Sequence, residues 1–201
     1  MSSALKTQAP PLQPRPLRAD ARRNRKRVLA AARKAFATDG LDAQMEEIAR
    51  RAGVGVGTVY RHFPTKEALL EALWQDKMER IVELTNSALE NPDPWDGVVE
   101  MFERGTKMQA DDLGWCEAVG AARPGGLNSQ TAPPHLFAAT NELLDRAKRA
   151  GALREDFDFD DVSRVFCAMA GVIQAQGPDA REPFLRVLLD GLRPPQSSNS
   201  A

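Results

Sequence analysis

Residues 44–63 read Gln44-Met45-Glu46-Glu47-Ile48-Ala49-Arg50-Arg51-Ala52-Gly53-Val54-Gly55-Val56-Gly57-Thr58-Val59-Tyr60-Arg61-His62-Phe63. Met45, Ile48, Ala49 and Ala52 recur at steps of three and four, the pattern of one buried helix face. Gly53 closes that helix, because a residue without Cβ takes the left-handed conformation at little cost. Val54 is apolar and tucks back under the turn. A second helix follows from Val56 to His62, with Val59 as its inward residue. Ala49 is small where two helices cross. Helix, tight turn, helix is the arrangement that sets its second helix in the DNA major groove.

The neighbouring residues make this specific. Ile48-Ala49-Arg50-Arg51-Ala52-Gly53-Val54, then Gly57-Thr58-Val59-Tyr60-Arg61-His62-Phe63, then Lys66-Glu67-Ala68-Leu69 occur in order after an Ala-rich helix at 22–38. Together they resemble the DNA-binding domain of the tetracycline-repressor (TetR) family, over residues 20 to 75. The remainder resembles that family in length and helical pattern. Such a resemblance implies an all-α fold of about nine helices, with a three-helix helix-turn-helix head and a helical ligand-binding and dimerisation body. It also implies a homodimer on a pseudo-palindromic operator in double-stranded DNA. The function implied is that of a sequence-specific transcriptional regulator, a repressor released by a small-molecule effector.

Charge is distributed accordingly. The net charge is −1, yet residues 1–66 hold 14 Lys/Arg against 5 Asp/Glu, and the rest holds 13 against 23. A basic module on an acidic body turns one end toward a polyanion. Arg22, Arg23, Arg25, Lys26 and Arg27 crowd the start of the first helix, where cations oppose the helix dipole. Contact with phosphates, with release of condensed counterions, accounts for them. Arg15 and Arg18 lie in a Pro-rich stretch, 1–19, that reads as a disordered basic arm. Leu41 is expected to plug the head core.

Each contact implied by the resemblance has a chemical rationale. Val56, Gly57 and Thr58 begin the recognition helix, whose N-terminal residues reach base edges. Val56 suits a thymine methyl, Gly57 admits close approach, and Thr58 bonds a base or phosphate. Tyr60, His62 and Lys66 donate to phosphates, and Arg61 meets a base or phosphate. Family members usually carry Thr or Ser before Met-Glu-Glu-Ile-Ala, as helix cap and phosphate donor. Here Ala43 and Gln44 stand there, and Gln is a poor cap.

The domain reading is 1–19 arm, 20–66 DNA-binding head, 67–193 body and 194–201 polar tail. Thr65 caps a long helix from Lys66 to about Leu89. Five more helices are read at about 95–109, 113–122, 135–150, 159–176 and 183–192, with a Pro/Gly-rich loop at 123–134. Asp158 and Asp161 are spaced for a capping box. The pocket implied for the body is assigned to Met101, Phe102, Met108, Trp115, Phe137, Phe166 and Met169. The dimer face is assigned to the last two helices through Ala168, Gly171, Ala175, Phe184 and Leu188, where small residues permit close approach.

Other classes find little in the sequence. There are 2 His, 2 Cys and 42% hydrophobic residues. Neither a metal-ligand spacing, a Gly-x-Ser-x-Gly nor a phosphate loop is present. The aspartates at 156, 158, 160 and 161 lack the Gly and final Glu of a calcium loop, so helix capping is the better account. No catalytic residue, metal or cofactor is expected. No apolar run approaches the roughly 20 residues of a membrane helix. The polar N-terminus lacks a secretory core, and Cys116 and Cys167 read as reduced, partly buried thiols, so a cytoplasmic protein is expected. The competing readings are an enzyme and a helical adaptor that binds only protein, which predicts no salt-dependent DNA binding.

Overall fold

The computed structural model describes residues 15–112 and 127–195. They form eight α-helices and two 3-10 turns, and no strand occurs among the described residues. The helices are α1 (Arg15–Asp39), α2 (Met45–Ala52), α3 (Val56–His62), α4 (Lys66–Leu89), α5 (Pro94–Asp111), α6 (Pro134–Arg149), α7 (Phe159–Gln176) and α8 (Arg181–Leu192). The helix expected at 113–122, with Trp115 and Cys116, lies outside the described residues.

In the head, Val28, Leu29, Ala32, Ala35 and Phe36 of α1 are buried against Met45, Ile48, Ala49 and Ala52 of α2 and Val59 of α3. Two expectations are corrected. The chain is helical from Arg15, within the stretch read as a disordered arm. Pro16 fits a first helical turn, where its missing N–H would have had no partner. Leu41 does not plug the core, being 42% exposed. A 3-10 turn at Gly40–Asp42 changes the register, so that the smaller Ala43 points inward and is buried.

Helix α4 is the spine. Thr65 caps it, its hydroxyl accepting from the Ala68 amide at 3.1 Å. At 1.5 Å per residue its 24 residues span about 36 Å, enough to serve two cores. Leu69, Ala72 and Leu73 close the head core, while Leu84 and Ala88 belong to the body core. Between them, Met78 joins Leu136 and Phe159 in a third cluster. The C-terminal end of α4 and the turn after it are held by Arg146 of α6, which donates to the carbonyls of Leu89, Asn91 and Pro92. A cation meeting those carbonyls also suits the negative end of the helix dipole.

In the body, Asp93 caps α5 by accepting from the Trp95 and Asp96 amides. Asp158 and Asp161 form both bonds of a capping box at α7. Helices α7 and α8 pack as a pair against α5. A Cβ on Gly105 would lie 2.7 Å from the Phe166 ring, so glycine there lets that ring rest on α5. Cys167 is exposed, not partly buried, because it stands at the open side of a cavity in the body.

Candidate nucleic-acid interface and internal cavity

The turn of the helix-turn-helix is set by Gly53, at φ 61 and ψ 41, whose N–H reaches the Ala49 and Arg50 carbonyls. Arg27 of α1 donates to the Gly53 carbonyl at 3.1 Å. That bond clasps α1 to the turn, so Arg27 orients the reading unit, in addition to its place in the basic cluster. Arg25 lies 5.6 Å over the buried Phe63 ring. These two contacts bring the basic turns of α1 alongside both ends of α3.

On the outer side of the head, Arg22, Arg23, Gln44, Val56, Gly57, Tyr60 and Arg61 are exposed, and Thr58, His62 and Lys66 are half-buried. Val56 and Tyr60, large apolar bodies, are each 42% exposed, while Val59 between them in sequence is fully buried. Neighbours on the protein already hold several of these groups. Arg23 pairs with Asp20. The Lys66 ammonium donates to the Leu41 carbonyl at 2.8 Å, and the Tyr60 hydroxyl to Glu46 at 3.3 Å. The Glu46 carboxylate beside Tyr60 raises the phenol above its ordinary range, so it remains a donor at neutral pH. Gln44 donates its side-chain amide to the Asp42 carbonyl and makes no cap bond. Ala43, the residue before it, is buried. In place of a cap, Glu47 braces α2 with bonds from Arg50 and Arg51, which hold its carboxyl down at about 2.

A cavity of about 320 Å³, partly open to solvent, lies between α4, α5, α6 and α7 of the body. Of the residues expected to line it, Met101, Met108 and Phe166 do. Phe102 and Met169 are instead fully buried in the core, Phe102 against Phe157 and Phe166. Phe137 is on the surface, its ring 5.1 Å from that of Phe159, which does line the cavity. Trp115 lies outside the described residues. The wall also includes Trp74, Met78, Gln109, Leu136 and Thr140, which sequence reasoning missed as lining. A signal existed on α4. Trp74, Met78, Ile81 and Thr85 follow one another at steps of four, three and four, a single helical face turned to the cavity. Trp74 further packs against both the head core and the cluster of Met78, Leu136 and Phe159.

On the outside of the body, Ala168, Gly171 and Ala175 of α7 are exposed, and a Cβ on Gly171 would meet nothing within 4 Å. Phe184 and Leu188 of α8 turn partly inward against the body core. The apolar residue that α8 presents outward is Val187, 69% exposed.

With this geometry in view, two family models match the chain. The model for bacterial regulatory proteins of the tetR family covers residues 28–73. The SbtR-like transcriptional regulator C-terminal domain covers residues 93–194, half of the chain. A TetR regulatory protein of Mycobacterium vanbaalenii is 41% identical in its crystal structure, with a TM-score of 0.61 over 89% of this chain and 99% of that one. The chain belongs to the TetR family. Two curated relatives are repressors. LfrR of Mycolicibacterium smegmatis is 28% identical over 85% of this chain and 88% of its own. Rv1474c of Mycobacterium tuberculosis is 28% identical over 68% and 72%. As a TetR-family member the protein is a DNA-binding transcriptional regulator, and α2–α3 form its helix-turn-helix. No described helix of this TetR-family chain is long and apolar enough to cross a membrane.

Proposed function

We propose that the protein is a homodimeric repressor that holds a pseudo-palindromic operator and leaves it when a small molecule fills the body cavity. The observation that carries this reading is the double membership of α4. Trp74 stands in the cavity wall and also against the head core, so whatever fills the cavity presses on the helix that carries the head. A ligand shifts such an equilibrium only if it prefers the state that does not bind DNA. The DNA contacts are Arg22, Arg23, Gln44, Tyr60, His62 and Lys66 to phosphates and Val56, Gly57, Thr58 and Arg61 at the bases. A recognition helix of 7 residues makes few base contacts, so one head binds weakly and two are needed. The exposed face of α7 and α8, with Ala168, Gly171, Ala175 and Val187, is the dimer surface in this reading, bordered by Phe184 and Leu188.

The test is to incubate the purified protein with fragments of its own genome at two salt concentrations and sequence what it retains. The expected result is a shared pseudo-palindrome whose half-sites lie one helical turn or a multiple apart, with retention falling steeply as salt rises. Failure to retain any DNA at low salt overturns the reading.

A further inference from the structure

An uncompensated carboxylate stands on the basic head, beside a residue assigned to DNA phosphate. Glu46 and Glu47 lie in the first turn of α2, where acidic side chains suit the positive end of the helix dipole. They stand in for the side-chain cap that Gln44 does not supply. Their surroundings differ. Glu47 is held by Arg50 and Arg51. Glu46 is exposed and forms no ion pair among the described residues. A hydrogen bond reaches it from Tyr60 of α3, whose hydroxyl donates to Oε1 at 3.3 Å.

A phenol has a single hydrogen to give, and the oxygens of a backbone phosphate only accept. Tyr60 therefore cannot donate to Glu46 and to a phosphate at once. The bond to Glu46 is longer than the roughly 2.7–2.8 Å of a well-formed O–H···O bond, so the hydrogen is loosely held. Charge is the larger obstacle. A phosphate drawn to the Tyr60 hydroxyl arrives beside a carboxylate of its own sign that no arginine or lysine among the described residues neutralises. The same field already acts on Tyr60, whose phenol is raised first by the Glu46 charge. Repulsion at an exposed site is modest, but it recurs in every head that docks.

We propose that Glu46 is a positioning residue that competes with DNA for the Tyr60 hydroxyl. It holds that side chain in the free protein, surrenders the hydrogen on binding, and lowers affinity for the phosphate backbone. The same charge that steadies the start of α2 thus opposes the operator. The inference rests on Tyr60 as a phosphate contact and goes beyond it by giving its neighbour an opposing role. Phosphate contacts carry no sequence information, so the penalty applies to any duplex.

Tyr60 is the single tyrosine of the chain, so tyrosinate absorbance reports on it alone. The full-length protein is compared with Glu46→Gln, Tyr60→Phe and the double variant by fluorescence anisotropy. Two labelled duplexes of equal length are used, one of mixed sequence and one carrying the pseudo-palindrome recovered from the genome. Glu46→Gln is expected to bind both about 10-fold tighter, roughly threefold for each of two heads. It should melt slightly lower, having lost a first-turn charge, and its phenol should titrate at lower pH than in the unaltered protein. Tyr60→Phe is expected to bind more weakly, and in that background the gain from Glu46→Gln should shrink to about threefold or less. Thermal melts show that all variants fold. Equal affinity of Glu46→Gln and the unaltered protein, an unmoved phenol midpoint, or an undiminished gain in the Tyr60→Phe background overturns the inference. Unchanged affinity of Tyr60→Phe removes Tyr60 from the phosphate contacts and overturns it too. Binding of mixed-sequence DNA with no pseudo-palindrome recovered counts against the repressor reading alone, and the Glu46 comparison is then decided on the mixed-sequence duplex.

Discussion

Gly57 separates the needs of the free protein from those of its complex. A Cβ there would meet nothing within 4 Å, and alanine in a helix is favoured over glycine by about 0.5–1 kcal/mol. Gly57→Ala should therefore melt at the same or a slightly higher temperature. Its operator affinity should still fall by about 10-fold if the backbone lies against the bases. Unchanged affinity in a gel-shift titration would remove Gly57 from the interface. Gly53 is the opposite case, since its left-handed backbone and the Arg27 guanidinium 2.6 Å from a hypothetical Cβ both exclude a side chain. Glu47 makes a prediction about pH. Its carboxyl is lowered from 4.5 to about 2, first by the Arg50 hydrogen bond and then by that of Arg51. A lowered carboxylate adds stability above its unfolded value and loses it as pH falls toward the folded one. The Glu47 contribution should thus be intact at pH 5 and fade between 4.5 and about 2. NMR titration of the Glu47 carboxyl should give a midpoint near 2, and a midpoint near 4.5 would show the Arg pair to be absent in solution.

At the scale of elements, α4 is the helix shared by the two halves. Its N-terminal part is packed into the head core, its C-terminal part into the body core, and Trp74 touches the clusters on both sides of the join. The Arg33–Asp76 pair ties α1 to this same stretch. Its far end and the turn after it are held by three carbonyl bonds from Arg146, so in the proposed mechanism a push in the cavity is taken up toward the head end. Trp74→Leu should cost about 1–3 kcal/mol of stability, as a large-to-small change in a packed site does. DNA binding should stay within a few-fold of normal, while the concentration of a cavity-filling effector needed for release rises by about 10-fold, a coupling loss of ordinary size. Release at the normal concentration would place the coupling elsewhere on α4.

For the whole molecule, the proposed dimer makes affinity depend on two heads held at one spacing. Val187 is 69% exposed, so Val187→Asp should change the stability of the fold by no more than about 0.5 kcal/mol. A charge in the middle of an apolar dimer face should nevertheless split it. Sedimentation is expected to show monomers, and operator affinity should fall by about 100-fold or more through loss of two-site binding. A dimer that survives this change uses another face.

Local spacing made most of the elements and the reading head legible, though not the start of α1. Met45, Ile48, Ala49, Ala52 and Val59 announce their buried face by spacing, Gly53 and Thr65 mark helix ends by conformational and hydrogen-bonding needs, and all act within a few residues. The motif then identified the family, because three short patterns in fixed order constrain one local structure. What only the tertiary structure decided lies between elements. Leu41 and Ala43 differ by two positions, and a 3-10 turn chose which faces inward. Met101 and Phe102 are adjacent on one apolar stripe, yet one lines the cavity and the other fills the core. Phe184 and Val187 share a helix, and packing against α5 and α7 leaves Val187 outward. Periodicity tells a buried face from an exposed one, but core, cavity wall and interface are all apolar. Which of them a side chain joins depends on what the neighbouring helix places opposite it, and that is fixed only when the helices pack.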